Sequence, residues 1–322
     1  MGYRMWRRGG SLLPVTGKKG FFDLAYGKSE AQKLDIWLPD TEGPFPVIIS
    51  IHGGGFVACD KRQKEMLEPM LYGLDKGFAV CALNYRLANE ARFPEPVKDI
   101  KQAIRFLKAN AANYNLLPDK MIVWGGSAGG YMTLMACLFT NDIYYDNEMD
   151  PNLRTPADIA GGVAWYPLTD IAACDDELEI NSLINQFLTN GTPDSSEEYE
   201  PAMPVSLDSQ FPFHNCEGWL SMFLGCPADS GSELVKKASP IYAIHEHMPP
   251  VLIQHGSSDE ILPMQQSIRF AIKANTCCKD KRAQVEILPG AIHSSVRFET
   301  EENLERVFSF IHSVLCDGVC TS

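Results

Sequence analysis

The feature that most constrains this fold is an apolar run that ends in a serine flanked by glycines. Residues 121–124 are typical of a buried strand, and Gly-Gly-Ser-Ala-Gly-Gly follows at positions 125–130. A serine on so tight a turn has a strained backbone, which requires neighbours without a Cβ. The turn would lift the Ser127 hydroxyl above the sheet and leave the Ala128 N–H at the positive end of a helix. The pattern predicts a strand, a sharp turn and a helix, although a phosphate-binding turn or a purely structural one is the alternative.

A second glycine run follows a second buried strand. Residues 47–51 are apolar and lead directly into His52-Gly53-Gly54-Gly55-Phe56. Three successive glycines let the backbone approach a ligand closely and turn its N–H groups toward it. We interpret this loop as the upstream half of an oxyanion hole, and the alternative is a flexible glycine turn.

Strand and helix patterns alternate along most of the chain, which predicts an α/β fold with a mostly parallel sheet and helices on both faces. Further strands are expected at 33–39, 78–85, 159–166, 250–255 and 284–288, and helices at 61–76, 97–111, 264–275 and 301–315. Residues 1–20 are expected to form a loose arm, and 171–237, which lack periodicity, a lid-like insertion. The core would comprise residues 21–170 and 238–322.

Composition excludes several classes of partner. The formal net charge of −13 disfavours nucleic acid and anionic membrane surfaces, which bind cationic faces. The ten cysteines include no C-x-x-C pair or zinc-like spacing, so neither a metal nor another cofactor is expected. No apolar signal segment or membrane span is evident, which predicts a cytoplasmic protein unless a signal was removed. A homodimer is left open.

A nucleophilic serine needs a base to take its proton and an acid to orient that base. Asp259 and His293 each follow a predicted strand, which places them at the same carboxyl edge of the sheet as Ser127. The remaining histidines, at positions 52, 214, 245, 247, 255 and 312, are interpreted as structural. The rival acids are Asp158, Asp170 and Glu260.

Six short motifs carry a family resemblance. They are His52-Gly53-Gly54-Gly55-Phe56, Asn84-Tyr85-Arg86-Leu87-Ala88, Gly125-Gly126-Ser127-Ala128-Gly129-Gly130, Trp165-Tyr166 with Thr169-Asp170, Ala238-Ser239-Pro240-Ile241 and His255-Gly256-Ser257-Ser258-Asp259. Over about residues 20–315 the chain resembles the α/β-hydrolase serine esterases of the hormone-sensitive-lipase kind. Within these it is most similar to the bacterial branch with acetyl-xylan and feruloyl esterases, and its order of serine, aspartate and histidine is theirs.

The resemblance implies a role for each matching residue. Ser127 would be the nucleophile, His293 the base and Asp259 the acid, in a catalytic triad. The oxyanion donors would be the N–H groups of Gly54, Gly55 and Ala128. The expected substrate contacts are Phe56, Trp165 and Tyr166. The sequence departs from the family at Cys59, at Pro167-Leu168, and at Ile292 and Ser294, where Cys59, Ile292 and Ser294 replace glycines.

These features together predict a carboxylesterase that forms an acyl-enzyme. The expected substrate is a small ester or an acylated oligosaccharide with a short acyl group, acetyl above all, or a feruloyl group. Trp219 in the insertion could stack on sugar or phenolic rings, or could belong to the insertion's own small core. Two alternatives stay open: an arylformamidase or peptidase with the same triad, and a non-catalytic binding protein on a hydrolase scaffold.

Overall fold

A single eight-stranded sheet forms the centre of the protein in the computed structural model, which describes residues 11–139, 142–189, 218–228 and 232–317. The strands are β1 Gly20–Ala25, β2 Lys33–Trp37, β3 Phe45–Ile51, β4 Ala79–Leu83, β5 Leu116–Gly126, β6 Gly161–Trp165, β7 Val251–Gly256 and β8 Ala283–Leu288. Their order in the sheet is β1-β2-β4-β3-β5-β6-β7-β8. The β1–β2 and β2–β4 pairs are antiparallel, and every later pair is parallel. The prediction of a mostly parallel sheet is confirmed.

Eight α-helices surround this sheet in the described residues. They are α1 Lys64–Leu71, α2 Glu95–Ala109, α3 Ala128–Leu138, α4 Cys174–Thr189, α5 Trp219–Leu224, α6 Glu233–Lys237, α7 Gln265–Cys277 and α8 Glu301–Asp317. Buried side chains of α2, α3 and α7 join one core cluster, and those of α1 and α8 join a second. Successive strand residues point to opposite faces, so Val123 of β5 lies in the first cluster and Trp124 in the second. The sheet therefore has a core on each side.

Three elements differ from their predicted bounds. The helix expected at 61–76 is the shorter α1 followed by a 3₁₀ turn at Tyr72–Leu74. Strand β1 had no predicted counterpart, because its residues alternate between half-buried and exposed and lack an apolar run. Within the predicted arm, Leu13 N donates to Arg62 O at 2.9 Å and Lys64 N to Ser11 O at 3.0 Å. Those two bonds tie residues 11–13 to the chain just before α1, and residues 1–10 lie outside the described part.

The insertion expected at 171–237 is described in part. It begins with the sixteen-residue helix α4, and it also contains the short helices α5 and α6. Residues 190–217 and 229–231 lie outside the described residues, as do the side chains of 182–189. Among the helices that the structure describes, none is both long and apolar enough to cross a membrane.

Candidate active site

Ser127 occupies the sharp turn that joins β5 to α3. Its backbone is left-handed in φ, with φ 57° and ψ −122°, a strained combination for a residue with a side chain. A Cβ at Gly125 would lie 2.5 Å from Ile51 O, and one at Gly129 would lie 2.1 Å from the same oxygen. Both positions therefore need glycine, because β3 passes too close for any side chain. The predicted strand, turn and helix are present, with the serine at the turn.

His293 links the serine to an aspartate. Its Nε2 lies 3.0 Å from Ser127 Oγ, and its Nδ1 lies 2.8 Å from Asp259 Oδ2. A neutral histidine that donates from Nδ1 to the carboxylate presents an unprotonated Nε2, which accepts the serine proton. Ser127 is 7% exposed and His293 is 6% exposed, so the pair is nearly enclosed by protein. The structure thus brings together the three residues predicted for the triad.

Asp259 is held as an ionised acid. Its Oδ1 accepts hydrogen bonds from the backbone N–H groups of Ile261 and Leu262, each at 2.9 Å. Burial raises the pKa of this carboxyl, but the charge and hydrogen bonds of His293 and His255 outweigh burial and hold the pKa well below its usual range. Asp259 therefore stays ionised while His293 gains and loses its proton.

His255 is a functional neighbour that the sequence analysis treated only as structural. Its Nε2 lies 3.3 Å from Asp259 Oδ2 and 2.8 Å from Leu262 O, and its Nδ1 lies 2.6 Å from Ser267 Oγ. The ring is fully buried, and its contacts with Asp259 and Leu262 hold the turn that carries the acid in place. Its position four residues before the acid, at the end of β7, is the sequence signal that could have indicated this contact.

The glycine loop after β3 faces the nucleophile. A Cβ at Gly53 would lie 3.4 Å from Ser127 Cβ. Gly54 has φ +95° and Gly55 has φ +58°, and Gly54 O accepts from the N–H groups of Val57 and Ala58 in a tight turn. In the described chain the N–H groups of Gly54 and Gly55 have no acceptor, so they are available to a ligand.

Ala128 is the third residue predicted to donate to an oxyanion. It is the first residue of α3, where a backbone N–H has no partner inside the helix and carries part of the helix dipole. The glycine loop and the start of α3 thus both have backbone N–H groups without a described acceptor near the serine, as an oxyanion hole requires.

The predicted substrate contacts have different surroundings. Tyr166 lies beside the base, with its ring centroid 4.6 Å from that of His293. Phe56 is instead 1% exposed and stacks on Phe223 at 4.0 Å between centroids. Trp165 is 3% exposed and donates from Nε1 to Gln254 Oε1 at 2.8 Å. Phe56 belongs to one core cluster and Trp165, together with Tyr166, to the other, so Phe56 and Trp165 are packed among core side chains.

Each rival acid is placed away from the base. Asp158 pairs with Lys108 at 2.9 Å, and Asp170 pairs with Arg269 at 2.7 Å. Glu260 is exposed to solvent beside the true partner of His293. The contact that selects Asp259 is the Nδ1 hydrogen bond, which none of the three makes.

Helix α5 of the insertion covers the oxyanion loop. The position that a Cβ on Gly55 would occupy is 3.4 Å from the Trp219 ring, and the Trp219 centroid is 6.0 Å from that of Phe56. Trp219 is half-buried. The insertion thus contributes an aromatic wall to the region where an ester would bind.

A serine hydrogen-bonded to a base, and that base to an acid, at the carboxyl ends of parallel strands is the arrangement of a serine hydrolase site on an α/β sheet. The chain belongs to the BD-FAE family, whose model matches residues 34–213 and 207–273. This membership confirms the predicted resemblance to α/β-hydrolase esterases and the α/β-hydrolase fold.

Two mycobacterial relatives carry the names of ester hydrolases. The chain is 25% identical over 270 residues to the "Probable carboxylic ester hydrolase LipM" of Mycobacterium tuberculosis, covering 82% of this chain and 54% of that protein. It is 26% identical over 275 residues to "Esterase LipC" of the same organism, covering 84% and 58%. The chain therefore spans little more than half the length of these curated relatives.

Solved structures share the fold. A "Truncated form of carbohydrate esterase from gut microbiota" superposes with a TM-score of 0.74 at 21% identity, covering 95% of this chain and 99% of that one. The apo form of Thermogutta terrifontis esterase 2 gives a TM-score of 0.66 at 19% identity, covering 94% and 96%. These likenesses support the same α/β-hydrolase architecture.

Proposed function

We propose that the protein is a carboxylic ester hydrolase that works through an acyl-enzyme. The observation that carries this proposal is the continuous hydrogen-bonded chain from Asp259 through His293 to Ser127, beside amides with no other acceptor. A chain of this kind serves nucleophilic attack by serine, since each member prepares the next. Family membership and the names of the relatives support the same chemistry.

In this proposal each step of the reaction falls to one group. Ser127 Oγ attacks the ester carbonyl carbon while its proton passes to His293 Nε2. The negative charge that forms on the carbonyl oxygen is stabilised by the N–H groups of Gly54, Gly55 and Ala128. His293 then gives its proton to the leaving alcohol, and the acyl group remains on Ser127. Water attacks that acyl-enzyme by the same path, and the carboxylic acid leaves.

The substrate is proposed to be a short-chain ester of a carbohydrate, acetyl above all, with feruloyl esters as the second class. The Trp219 ring lies 3.4 Å from the position of a Cβ on Gly55, which places an aromatic side chain beside the oxyanion loop for a sugar to contact. The carbohydrate esterase among the structural neighbours supports this choice. The acidic balance of the chain, at −13, also gives little sign of the apolar surface that binds an oil interface.

A substrate panel tests the proposal. We expect kcat/KM for p-nitrophenyl esters to be highest at two to four carbons and to fall by about tenfold or more at eight, because the proposed acyl site accepts only short chains. Acetylated xylo-oligosaccharides should release acetate, and methyl ferulate should be cleaved more slowly. A maximum at eight carbons with no acetate release would refute the carbohydrate assignment, and faster cleavage of N-formylanilines or peptides would refute the ester assignment.

A further inference from the structure

A polar groove lies between residues 88–95 and helix α5. It encloses about 1040 Å³ and is continuous in its lining with a smaller hollow of about 270 Å³. Arg92 and Met222 line both spaces, and Gly225 lines the smaller one. The triad lines neither of them, so this groove is separate from the site where the bond is cleaved.

Both walls of the groove are attached to the oxyanion loop. Ala88 N donates to Phe56 O at 2.8 Å, which joins the first wall to the residue after Gly55. Phe93 N donates to Phe223 O at 2.7 Å, which joins the first wall to α5. Helix α5 begins at Trp219, over Gly55, and ends beside the groove. Six helical residues span about 9 Å, so Trp219 beside Gly55 and the groove beside Gly225 lie at opposite ends of about that length.

Arg92 lies at the far end of this distance. A Cβ on Gly225, the residue that follows α5, would lie 2.4 Å from Arg92 Cδ, so the side chain crosses the end of the helix. The guanidinium is exposed and has no hydrogen bond or ion pair to any described residue. Gly225 leaves the room that the Arg92 side chain uses.

The acidic side chains of the groove are already engaged. Glu95 pairs with Arg86 at 3.2 Å and with Lys98 at 2.8 Å. Glu90 accepts a hydrogen bond from Leu87 N at 3.0 Å. Among the described residues that line the groove, Arg92 is the one cationic side chain, and neither carboxylate forms an ion pair with it.

We propose that this groove binds the alcohol part of the ester and that Arg92 there recognises a carboxylate, as on a uronic acid sugar. The inference rests on the proposed function, because it places the carboxylate on the substrate that Ser127 attacks. A free guanidinium binds a carboxylate with two parallel hydrogen bonds, which gives both charge and orientation. The substrate class is an acylated oligosaccharide that carries an acidic sugar about one helix length, about 9 Å, from the ester.

The test compares Arg92→Gln and Arg92→Lys on matched substrates. The acidic substrate is an acetylated xylo-oligosaccharide with a glucuronic acid branch, and the neutral one is the same oligosaccharide without the branch. We expect Arg92→Gln to raise KM for the acidic substrate by about five- to twentyfold and to change kcat little, since an exposed charge pair contributes to binding only. Arg92→Lys should recover part of this loss, because it keeps the charge but loses the fork.

Two controls isolate the effect. p-Nitrophenyl acetate is too short to reach Arg92, so its kcat/KM should stay within about twofold in every variant. Arg154→Gln removes another exposed arginine, outside the groove, and should leave the acidic substrate unaffected. The wild-type preference for the acidic substrate should also fall as NaCl rises, because salt screens exposed charges.

Binding is measured independently of catalysis with Ser127→Ala protein and the branched oligosaccharide. We expect Arg92→Gln in that background to weaken binding by the same five- to twentyfold as KM. Equal affinity of the two proteins, or equal KM changes for the acidic and neutral substrates, would overturn the subsite. If the wild-type protein cleaved no ester at all, p-nitrophenyl acetate included, the proposed function would be wrong. The binding measurement would then decide on the subsite alone.

Discussion

Two aspartates follow neighbouring strands at the same edge of the sheet, and only one of them serves the base. Asp259 follows β7 and Asp170 follows β6, and each is 2% exposed. Asp259 accepts from His293 at 2.8 Å, whereas Asp170 accepts from Arg269 Nη2 at 2.7 Å. Edge position and burial are shared, so neither can distinguish a catalytic acid from a structural one. What distinguishes the catalytic aspartate from the structural one is the side chain that each of them binds.

The surroundings of Asp170 explain what it does instead. Gln266 Oε1 accepts from the backbone N–H groups of Thr169 and Asp170 at 2.8 and 2.7 Å. Gln266 Nε2 donates to Glu177 Oε2 at 2.6 Å, and Arg269 also pairs with Glu177. Glu177 lies in the first turn of α4. We therefore interpret the Asp170 cluster as an anchor that ties the start of the insertion to β6 and α7.

The largest expected effect tests the catalytic side of the comparison. Ser127→Ala and His293→Ala should each lower kcat by on the order of 10⁴ or more, because nucleophile and base act in one step. For the same reason the double variant should lose little more than either single one. Steady-state kinetics on p-nitrophenyl acetate measures this, and multiplicative losses in the double variant would show that the two residues do not form a unit.

The next test replaces each of the two aspartates in turn with asparagine. Asp259→Asn should lower kcat by about 10³ to 10⁴, because the amide would hold the wrong tautomer of His293. Asp170→Asn should leave kcat within about tenfold, since Asp170 contacts no catalytic group, and should lower the melting temperature instead. If Asp170→Asn caused the larger loss of kcat, the assignment of the acid would be wrong.

The lowered pKa of Asp259 gives a pH dependence to the same pair. A carboxyl whose folded pKa lies below its unfolded value, about 3.9, stabilises the protein above that value and loses this contribution as pH falls through the folded pKa. Wild type should therefore be more stable than Asp259→Asn at pH 7, and the difference should shrink below about pH 4. Urea unfolding at both pH values tests this, and a constant difference would contradict the lowered pKa.

A smaller effect is expected on the structural side. Arg269→Gln would leave the buried Asp170 carboxylate without its cation. Because Arg269 is 42% exposed, solvent reduces the cost, which we place at about 1–3 kcal/mol in the free energy of unfolding. Activity on p-nitrophenyl acetate should stay within about threefold. Arg306→Gln, on α8, is the matched control, and a loss of activity greater than the loss of folded protein would connect this cluster to catalysis.

The sequence predicted the triad because apolar runs mark buried strands and the carboxyl ends of parallel strands meet at one edge. It did not predict which side chains face the site. Trp165 directly precedes Tyr166 and both lie in the same core cluster, but Trp165 packs edge-on against Trp124 while the Tyr166 ring lies beside the base. Side-chain direction depends on strand register and on the φ of 36° at Tyr166, which a local motif does not encode.

At several positions this chain has another residue where the family usually has glycine, and the backbone φ there shows whether the glycine conformation is kept. Cys59 has φ 75° and Ser294 has φ 58°, so two of the residues that replace glycines occupy the left-handed region that glycine prefers. Ile292, the third, is not among the residues with positive φ. The family glycines thus mark backbone geometry at two places, and this chain keeps the geometry without the residue.

The smallest expected effect concerns Ser294, which directly follows the catalytic base. A residue with a Cβ in the left-handed region costs roughly 1–2 kcal/mol relative to the usual conformation, and glycine avoids most of that cost. Glycine also gives the unfolded chain more freedom, which offsets part of the gain. Ser294→Gly should therefore be more stable than Ser294→Ala by about 1 kcal/mol, because both variants lose the hydroxyl and only alanine keeps the Cβ. Thermal unfolding of the two variants gives this difference directly.

The kcat values of the two Ser294 variants should agree within about threefold, since His293 is held by Asp259 and Tyr166 rather than by Ser294. An alanine variant as stable as the glycine variant would show that the backbone after His293 relaxes out of the left-handed region at no cost.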